Sequence, residues 1–248
     1  GSGPEGRVVA RDLDQAAAAP AMPVVAHRPI AGDAASFTDV PLSQLRKTIA
    51  KRLAQSIGPV PTFYLTSEID MERVWEAREA LNAGSAANRS EAGKATKVVA
   101  AALRQHPACN AWWQDDRIRY WNDVHVSMAV AIDDGLITPV IRHADQKSLR
   151  QISAESRELA GRARERRLAP EEYTGGTFSV SNLGMFEIDQ FTAVINPPEA
   201  GILAVGGTVQ KPVVQDGQVV VRRRMRVTLS CDHRVIDGAT GAAFLTTL

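Results

Sequence analysis

Arg226 to Leu245 reads RVTLSCDHRVIDGATGAAFL, a pattern that predicts a strand, a turn and a helix in quick succession. From Val227 to Asp232, apolar and polar residues alternate as in a half-buried strand. Asp237-Gly238 is a turn signal, and the small and apolar residues from Ala239 to Leu245 predict a closely packed helix. His233 therefore falls at a strand end, where a histidine can be held as a general base.

Two other interpretations of this segment stay open on pattern alone. An isolated HxxxD spacing is also typical of a core histidine beside a turn aspartate. Cys231 has the same strand parity as His233, so a cysteine–histidine nucleophile pair is geometrically possible, although a small buried hydrophobe is the simpler interpretation of Cys231.

Composition excludes several broad classes of protein. The 248 residues carry 29 Lys+Arg against 28 Asp+Glu, a net charge of +1 that does not favour nucleic acid or a membrane as partner. No run of apolar residues is long enough to predict a membrane span. Cys109 and Cys231 form no disulfide framework, and the five histidines show no metal-ligand spacing, so we expect no metal and a reducing compartment.

The remaining periodic segments predict an alternation of helices and strands. We expect a strand at Val60 to Asp70 and a hairpin from Val124 to Ile141 around Asp133-Asp134-Gly135, flanked by His125 and His143 in structural roles. Helices are predicted at Val40 to Ile57 with Ser43 as cap, at Met71 to Leu81, at Lys97 to His106 and at Ser148 to Arg167.

Several motifs together resemble one family. Asp232 to Ala239, DHRVIDGA, is similar to the DHRVxDGA signature of the dihydrolipoamide acyltransferases, the core subunits of the 2-oxo acid dehydrogenase complexes; chloramphenicol acetyltransferase has a looser HxxxDG. The segments VPTFYLT from Val60, SVSNLG from Ser179 and INPPE from Ile195 resemble further family motifs. The resemblance covers roughly Val40 to Leu248. The FYLT sequence is most like the acetyl-transferring branch of the family, which belongs to the pyruvate complex.

The resemblance implies a fold and a reaction. The fold is α+β, a chloramphenicol-acetyltransferase-like two-layer arrangement with a mixed β-sheet covered by helices, assembled as a trimer. The reaction transfers an acyl group, acetyl by preference, between the dihydrolipoyl thiol of a separate lipoyl domain and coenzyme A. Two alternatives are the same reaction with succinyl or branched-chain acyl groups, and a catalytically inactive structural core.

The resemblance also implies the site residues. His233 is the general base, Ser181 donates a hydrogen bond to the oxyanion, and Asp237 forms an ion pair with Arg78. Coenzyme A contacts are implied for six residues, Ser90, Asp133, Ser181, Asn182, Gly206 and Thr208. Ser90 to Gly93 reads SEAG where the family has SxND, and this departure puts the approach of coenzyme A in question there.

Domain organisation and partners follow from the same resemblance and from composition. Residues 1–14 resemble the end of a peripheral subunit-binding domain, residues 15–36 form an Ala/Pro-rich linker, and residues 37–248 form the catalytic domain. Implied partners are two further copies in a homotrimer, a cubic or dodecahedral shell of trimers, lipoyl domains, and the decarboxylase and dihydrolipoamide dehydrogenase subunits. The implied location is the cytoplasm of a bacterium or the mitochondrial matrix of a eukaryote.

Overall fold

The computed structural model describes residues 1–12, 41–83, 91–133 and 135–248. The expected linker at 15–36 and the expected ligand residue Ser90 lie outside these ranges. The chain divides into two units, Gly1–Pro41 and Leu42–Leu248. In the described part of the first unit, a 3₁₀ turn spans Pro4–Gly6, and the Asp12 carboxylate accepts the Val9 N–H at 2.9 Å.

The second unit carries the helices and strands that the sequence predicts. Its helices are α1 (Gln44–Ala54), α2 (Glu72–Ala83), α3 (Glu91–Gln105), α4 (Leu149–Arg164) and α5 (Gly238–Thr247). Its strands are β1 (Thr62–Asp70), β2 (Ala111–Gln114), β3 (Arg117–Tyr120), β4 (Val126–Met128), β5 (Val130–Ile132), β6 (Gly135–Ile137), β7 (Val140–Ile141), β8 (Phe178–Asn182), β9 (Gly201–Gln215) and β10 (Gln218–Asp232). No helix in the described ranges combines the length and the apolar character needed to cross a bilayer.

Six strands form the main sheet in the order β1-β10-β9-β8-β4-β7. Strand β8 runs parallel to β9 and to β4, while the pairs β1–β10, β10–β9 and β4–β7 are antiparallel, so the sheet is mixed as expected. The predicted hairpin around Gly135 is present in two pieces, because β4 pairs with β7 in the main sheet and β5 pairs separately with β6.

Helices cover one face of the sheet and enclose the main core. Phe178 of β8 and Phe244 of α5 are both fully buried, with ring centroids 5.6 Å apart. Val99 of α3 and Ile152 of α4 are buried in the same cluster. Apolar and polar residues alternate along β8, and every second side chain of a strand faces the same side. The apolar side chains of β8 therefore face the helices. The two-layer α+β fold is therefore confirmed.

Helix caps follow the sequence closely. The Ser43 hydroxyl accepts the Arg46 N–H at 3.1 Å, and the Ser148 hydroxyl accepts the Gln151 N–H at 3.3 Å. The apolar stripe of the first helical segment is less covered than its periodicity indicates: Leu42 is 59 % exposed and Ile57 69 %. A single chain thus leaves part of this stripe in contact with solvent.

Strands β9 and β10 extend past the rest of the sheet as a two-stranded ribbon. Pairing of β10 with β1 stops at Arg224, and pairing of β9 with β8 stops at Val205. Asp216 and Gly217 turn the ribbon with φ values of 51° and 77°, the left-handed pair that a tight hairpin turn requires. Exposed valines line the ribbon at 209, 214, 219 and 221.

Glu199 carries a buried carboxyl group that contacts side chains of β8 and β4. The side chain is 3 % exposed, and its oxygens accept hydrogen bonds from the hydroxyls of Ser179 and of Ser127, the latter at 2.8 Å. A Cβ at Gly176 would lie 2.6 Å from Glu199 Oε1, so only glycine fits there. Burial raises the pKa of Glu199 to about 7, because the charged form is poorly solvated.

We therefore expect Glu199 to make folding stability depend on pH. Its folded-state pKa lies above the unfolded value of 4.5, so the unfolded chain loses its proton first and stability falls as pH rises from about 4.5 towards about 7. Glu199→Gln should remove this fall, which amounts to up to about 3 kcal/mol. Chemical denaturation at pH 5 and pH 8 measures the difference. The exposed Glu171→Gln is the control, and an equal pH dependence in all three proteins would contradict the expectation.

Candidate active site

The histidine of the DHRVIDGA motif lies exposed at the end of β10, the second strand from one edge of the main sheet. The His233 backbone N–H donates to the Pro61 carbonyl at 2.9 Å, and the imidazole packs against the Phe63 ring with centroids 4.5 Å apart. The residues at the start of β1 therefore anchor His233, while the imidazole ring stays accessible to solvent. Such a side chain can exchange a proton with a bound molecule.

An ion pair fixes the residues on either side of the histidine. Asp232 is 2 % exposed, and its carboxylate accepts Arg234 Nη2 at 2.8 Å and the Arg234 backbone N–H at 3.0 Å. The Arg234 guanidinium stacks over the Trp113 ring, 4.7 Å from its centroid. A buried carboxylate needs such a partner, and the planar guanidinium can hold both oxygens. The backbone of His233 is thus held between two anchored neighbours.

Asp237 caps helix α5 instead of pairing with Arg78. Its carboxylate accepts the Thr240 N–H at 2.7 Å, and this hydrogen bond is the main reason why the pKa of Asp237 is lowered. Arg78 stacks over Trp75 at 4.9 Å and lines a cavity together with Leu248, which lies just past the far end of α5 from Asp237. The expected Arg78–Asp237 ion pair is therefore not formed within the described chain.

Ser181 lies in β8, two strands away from β10. Ser181 is level with Ala204 of β9, and Ala204 is level with Thr228 of β10. His233 follows Thr228 by five residues, which places it roughly 17 Å along the strands and about 10 Å across them from Ser181. One chain therefore does not bring the two predicted catalytic side chains together.

Three of the predicted coenzyme A residues surround one cavity of about 280 Å³. Asn182, Gly206 and Thr208 line it, as does Arg78, between α2, α3 and the sheet; the other lining residues are mainly apolar. Asp133 instead lies exposed in the turn between β5 and β6. The structure therefore groups Asn182, Gly206 and Thr208 but separates Asp133 from them.

The buried cysteines do not fit the cysteine–histidine alternative. Cys231 and Cys109 are both 0 % exposed, and burial raises the pKa of each thiol to about 12. A thiol that rarely ionises is a poor nucleophile. Cys231 therefore fits the simpler interpretation, a small buried hydrophobe next to the turn that carries His233.

Sequence reasoning missed one cluster outside this site. Asp123, His125 and His143 converge near the sheet edge, with one potential ligand atom from each within 4.8 Å of the others. The spacing of histidines along the chain gave no sign of it, because the contact depends on the pairing of β4 with β7.

Comparison with known proteins places the chain among relatives of one kind. Residues 34–248 match the family model of 2-oxoacid dehydrogenases acyltransferase (catalytic domain). A Caenorhabditis elegans relative, the mitochondrial dihydrolipoyllysine-residue acetyltransferase component of pyruvate dehydrogenase complex, is 46% identical over 99% of this chain and 50% of its own length. The chain thus spans about half the length of this curated relative.

Solved structures agree with the sequence relatives. Azotobacter vinelandii dihydrolipoamide acetyltransferase, from a study of a serine, a histidine and an asparagine in its catalytic mechanism, has a TM-score of 0.81 and 33% identity, covering 85% of this chain and 88% of that one. The cubic core of the pyruvate dehydrogenase multienzyme complex also scores 0.81 at 33% identity, covering 85% and 89%. Chloramphenicol acetyltransferase, at 15% identity and a TM-score of 0.52 over 85% and 95%, shares the fold. The chain belongs to the 2-oxoacid dehydrogenase acyltransferase family and carries its catalytic domain.

Proposed function

We propose that this chain transfers an acetyl group between the dihydrolipoyl thiol of a lipoyl domain and the thiol of coenzyme A. The observation that carries the proposal is His233, exposed and held from both sides at the end of β10. The serine and histidine of the Azotobacter study lie 52 positions apart and its histidine and asparagine four, and the same separations hold between Ser181, His233 and Asp237 here.

The reaction follows from what thioester exchange requires. A cofactor thiol is only slightly ionised at neutral pH, so a neutral His233 removes its proton as the sulfur attacks the thioester carbonyl. A new carbon–sulfur bond forms, negative charge collects on the carbonyl oxygen, and the Ser181 hydroxyl donates a hydrogen bond to it. When the tetrahedral intermediate collapses, the original carbon–sulfur bond breaks and His233 returns the proton to the departing thiol.

Asp237 contributes by position rather than by proton transfer. Its carboxylate is engaged by the first turn of α5, four residues after His233. The Azotobacter study names an asparagine at this spacing, and an asparagine side chain can accept the same N–H bond. Either residue type can therefore cap this helix, which supports the view that Asp237 fixes the loop that carries the base.

The separation of Ser181 from His233 leads us to propose a trimer with the active site between subunits. In a closed ring of head-to-tail contacts, each interface can join the histidine of one copy to the serine of the next. The relative with a cubic core makes a larger shell of such trimers a reasonable extension. Lipoyl domains, the decarboxylase and dihydrolipoamide dehydrogenase are the proposed partners, in a bacterial cytoplasm or a mitochondrial matrix.

Single substitutions separate His233 from its cysteine neighbour. His233→Ala should lower the acyl transfer rate by at least about 10²-fold, because general base catalysis is lost. Cys231→Ala should keep most of the activity, since its thiol is buried and protonated. An assay with acetyl-CoA and dihydrolipoamide measures both variants. The reverse pattern would contradict the mechanism, and no exchange by the well-folded unsubstituted chain would favour a structural core.

Mixing two inactive variants tests the shared site. Ser181→Ala should lose about 10²- to 10³-fold in rate, as is typical when one oxyanion donor is removed. Equal amounts of Ser181→Ala and His233→Ala chains are reassembled into trimers. Each trimer that contains both variants has one intact interface out of three, so random mixing leaves about a quarter of all interfaces intact. About a quarter of the wild-type rate should therefore return. Each variant reassembled alone is the control. Recovery no greater than in those controls, from trimers shown to be mixed, would contradict a site between subunits.

Acyl preference can be read from relative rates. We expect acetyl-CoA to be used faster than succinyl-CoA or isobutyryl-CoA, in line with the acetyltransferase names of the curated relatives. Parallel assays at equal acyl-CoA concentration compare kcat/KM for the three. A larger kcat/KM for either of the other two would move the chain to another branch of the family without altering the mechanism.

A further inference from the structure

Asp123, His125 and His143 meet at a point that the acyl transfer reaction does not use. Asp123 precedes β4, His125 stands directly before its first residue, and His143 follows β7 by two positions. The antiparallel register pairs Val126 with Ile141, which brings the approach to β4 next to the exit from β7. One ligand atom from each residue lies within 4.8 Å of the other two.

Two of these atoms already have the spacing of metal ligands. His143 Nδ1 lies 3.4 Å from Asp123 Oδ1. Two ligands that each bind Zn²⁺ at about 2.1 Å in a tetrahedral arrangement are about 3.4 Å apart. The two imidazole rings stand at 86° to each other with centroids 4.7 Å apart. The third ligand atom, on His125, lies within 4.8 Å of both.

His125 presents a lone pair on the side that faces His143. Its Nδ1 accepts the His143 backbone N–H at 3.1 Å, so this nitrogen carries no proton. A metal ion would compete with that hydrogen bond, and the backbone N–H of His143 would then need a water molecule as its acceptor. The competition lowers the affinity that three ligands can give, but it leaves the ligand set intact.

The backbone at His143 has a conformation typical of ligand sites, and charges of both signs lie beside the cluster. His143 has φ 47°, in the left-handed region that residues other than glycine rarely adopt, and such positions cluster at ligand sites. Arg142 is the neighbouring positive charge, and its guanidinium donates to the carbonyls of Glu171 and Thr174 at 2.7 and 3.0 Å. Asp123 supplies the balancing negative charge.

We propose that Asp123, His125 and His143 bind one divalent transition-metal ion of the Zn²⁺ type, with water in the fourth position. Two imidazoles and one carboxylate suit Zn²⁺ or Co²⁺, whereas Mg²⁺ and Ca²⁺ prefer sets of oxygen ligands. The ion would join the edge strand β7 to the start of β4. The site would therefore stabilise the edge of the sheet and take no part in acyl transfer.

Metal titration of the tag-free chain, first treated with a chelator, tests the site. We expect one Co²⁺ per chain, with the visible absorption of a four-coordinate ion, displacement by Zn²⁺, and a rise in Tm when Zn²⁺ is added. His143→Ala and Asp123→Asn should each weaken Zn²⁺ binding at least about tenfold and abolish the rise in Tm, since the first change removes a ligand and the second replaces a charged ligand by a weak neutral one. His106→Gln, a substitution outside the cluster, is the matched control and should bind as the unsubstituted chain does.

Loss of binding in both cluster variants, with circular dichroism unchanged and binding kept in the control, supports the site. Lack of Co²⁺ absorption by the folded unsubstituted chain overturns it, and so does Zn²⁺ binding that is equal in His143→Ala. In either of those cases the three residues are a hydrogen-bonded histidine pair beside a surface carboxylate.

Discussion

The ion pair between Asp232 and Arg234 is the constraint on which the turn that carries His233 depends. Strand β10 is paired on both sides along its inner half, so Asp232 at its end is drawn into the interior. A carboxylate there needs a cation, and the nearest one is two residues on. The Arg234 side chain can reach the Asp232 carboxylate only if the chain turns between the two residues, and this turn leaves His233 exposed. Burial of one charge thus exposes His233, the residue proposed as the general base.

Much of the architecture could be predicted because it is local. The capping serines at 43 and 148, the alternation in β1 and β10, and the DG turn before α5 each act within a few residues. The resemblance supplied the rest of the fold, because motifs such as DHRVIDGA and SVSNLG are specific to one family. His233 and Ser181 were identified in the same way, and their roles stay predictions.

Contacts that depend on tertiary packing were beyond the sequence. Arg78 and Asp237 were expected to pair, but packing places them towards opposite ends of α5, and Asp237 finds a partner in its own helix. Glu199 looked like part of an INPPE motif, and its burial against Ser127 became visible only in three dimensions. The distance between Ser181 and His233 likewise follows from strand register, which no periodicity encodes.

The ribbon of β9 and β10 has a consequence for handling the isolated domain. Beyond Arg223 of β10 and Gly207 of β9, no other strand of the described residues pairs with either backbone edge of the ribbon, and exposed valines lie along it. Unpaired edges and β-branched side chains together let strands of separate molecules join into aggregates. Lys211 on β9 and the arginines at 222 and 223 on β10 are paired with the carboxylates of Glu68, Asp70 and Glu72, so these cations tie the base of the ribbon to β1 and α2. Because salt screens such partly exposed ion pairs, the ribbon should be held less firmly in concentrated electrolyte, and aggregation through its valines should increase even while the core stays folded.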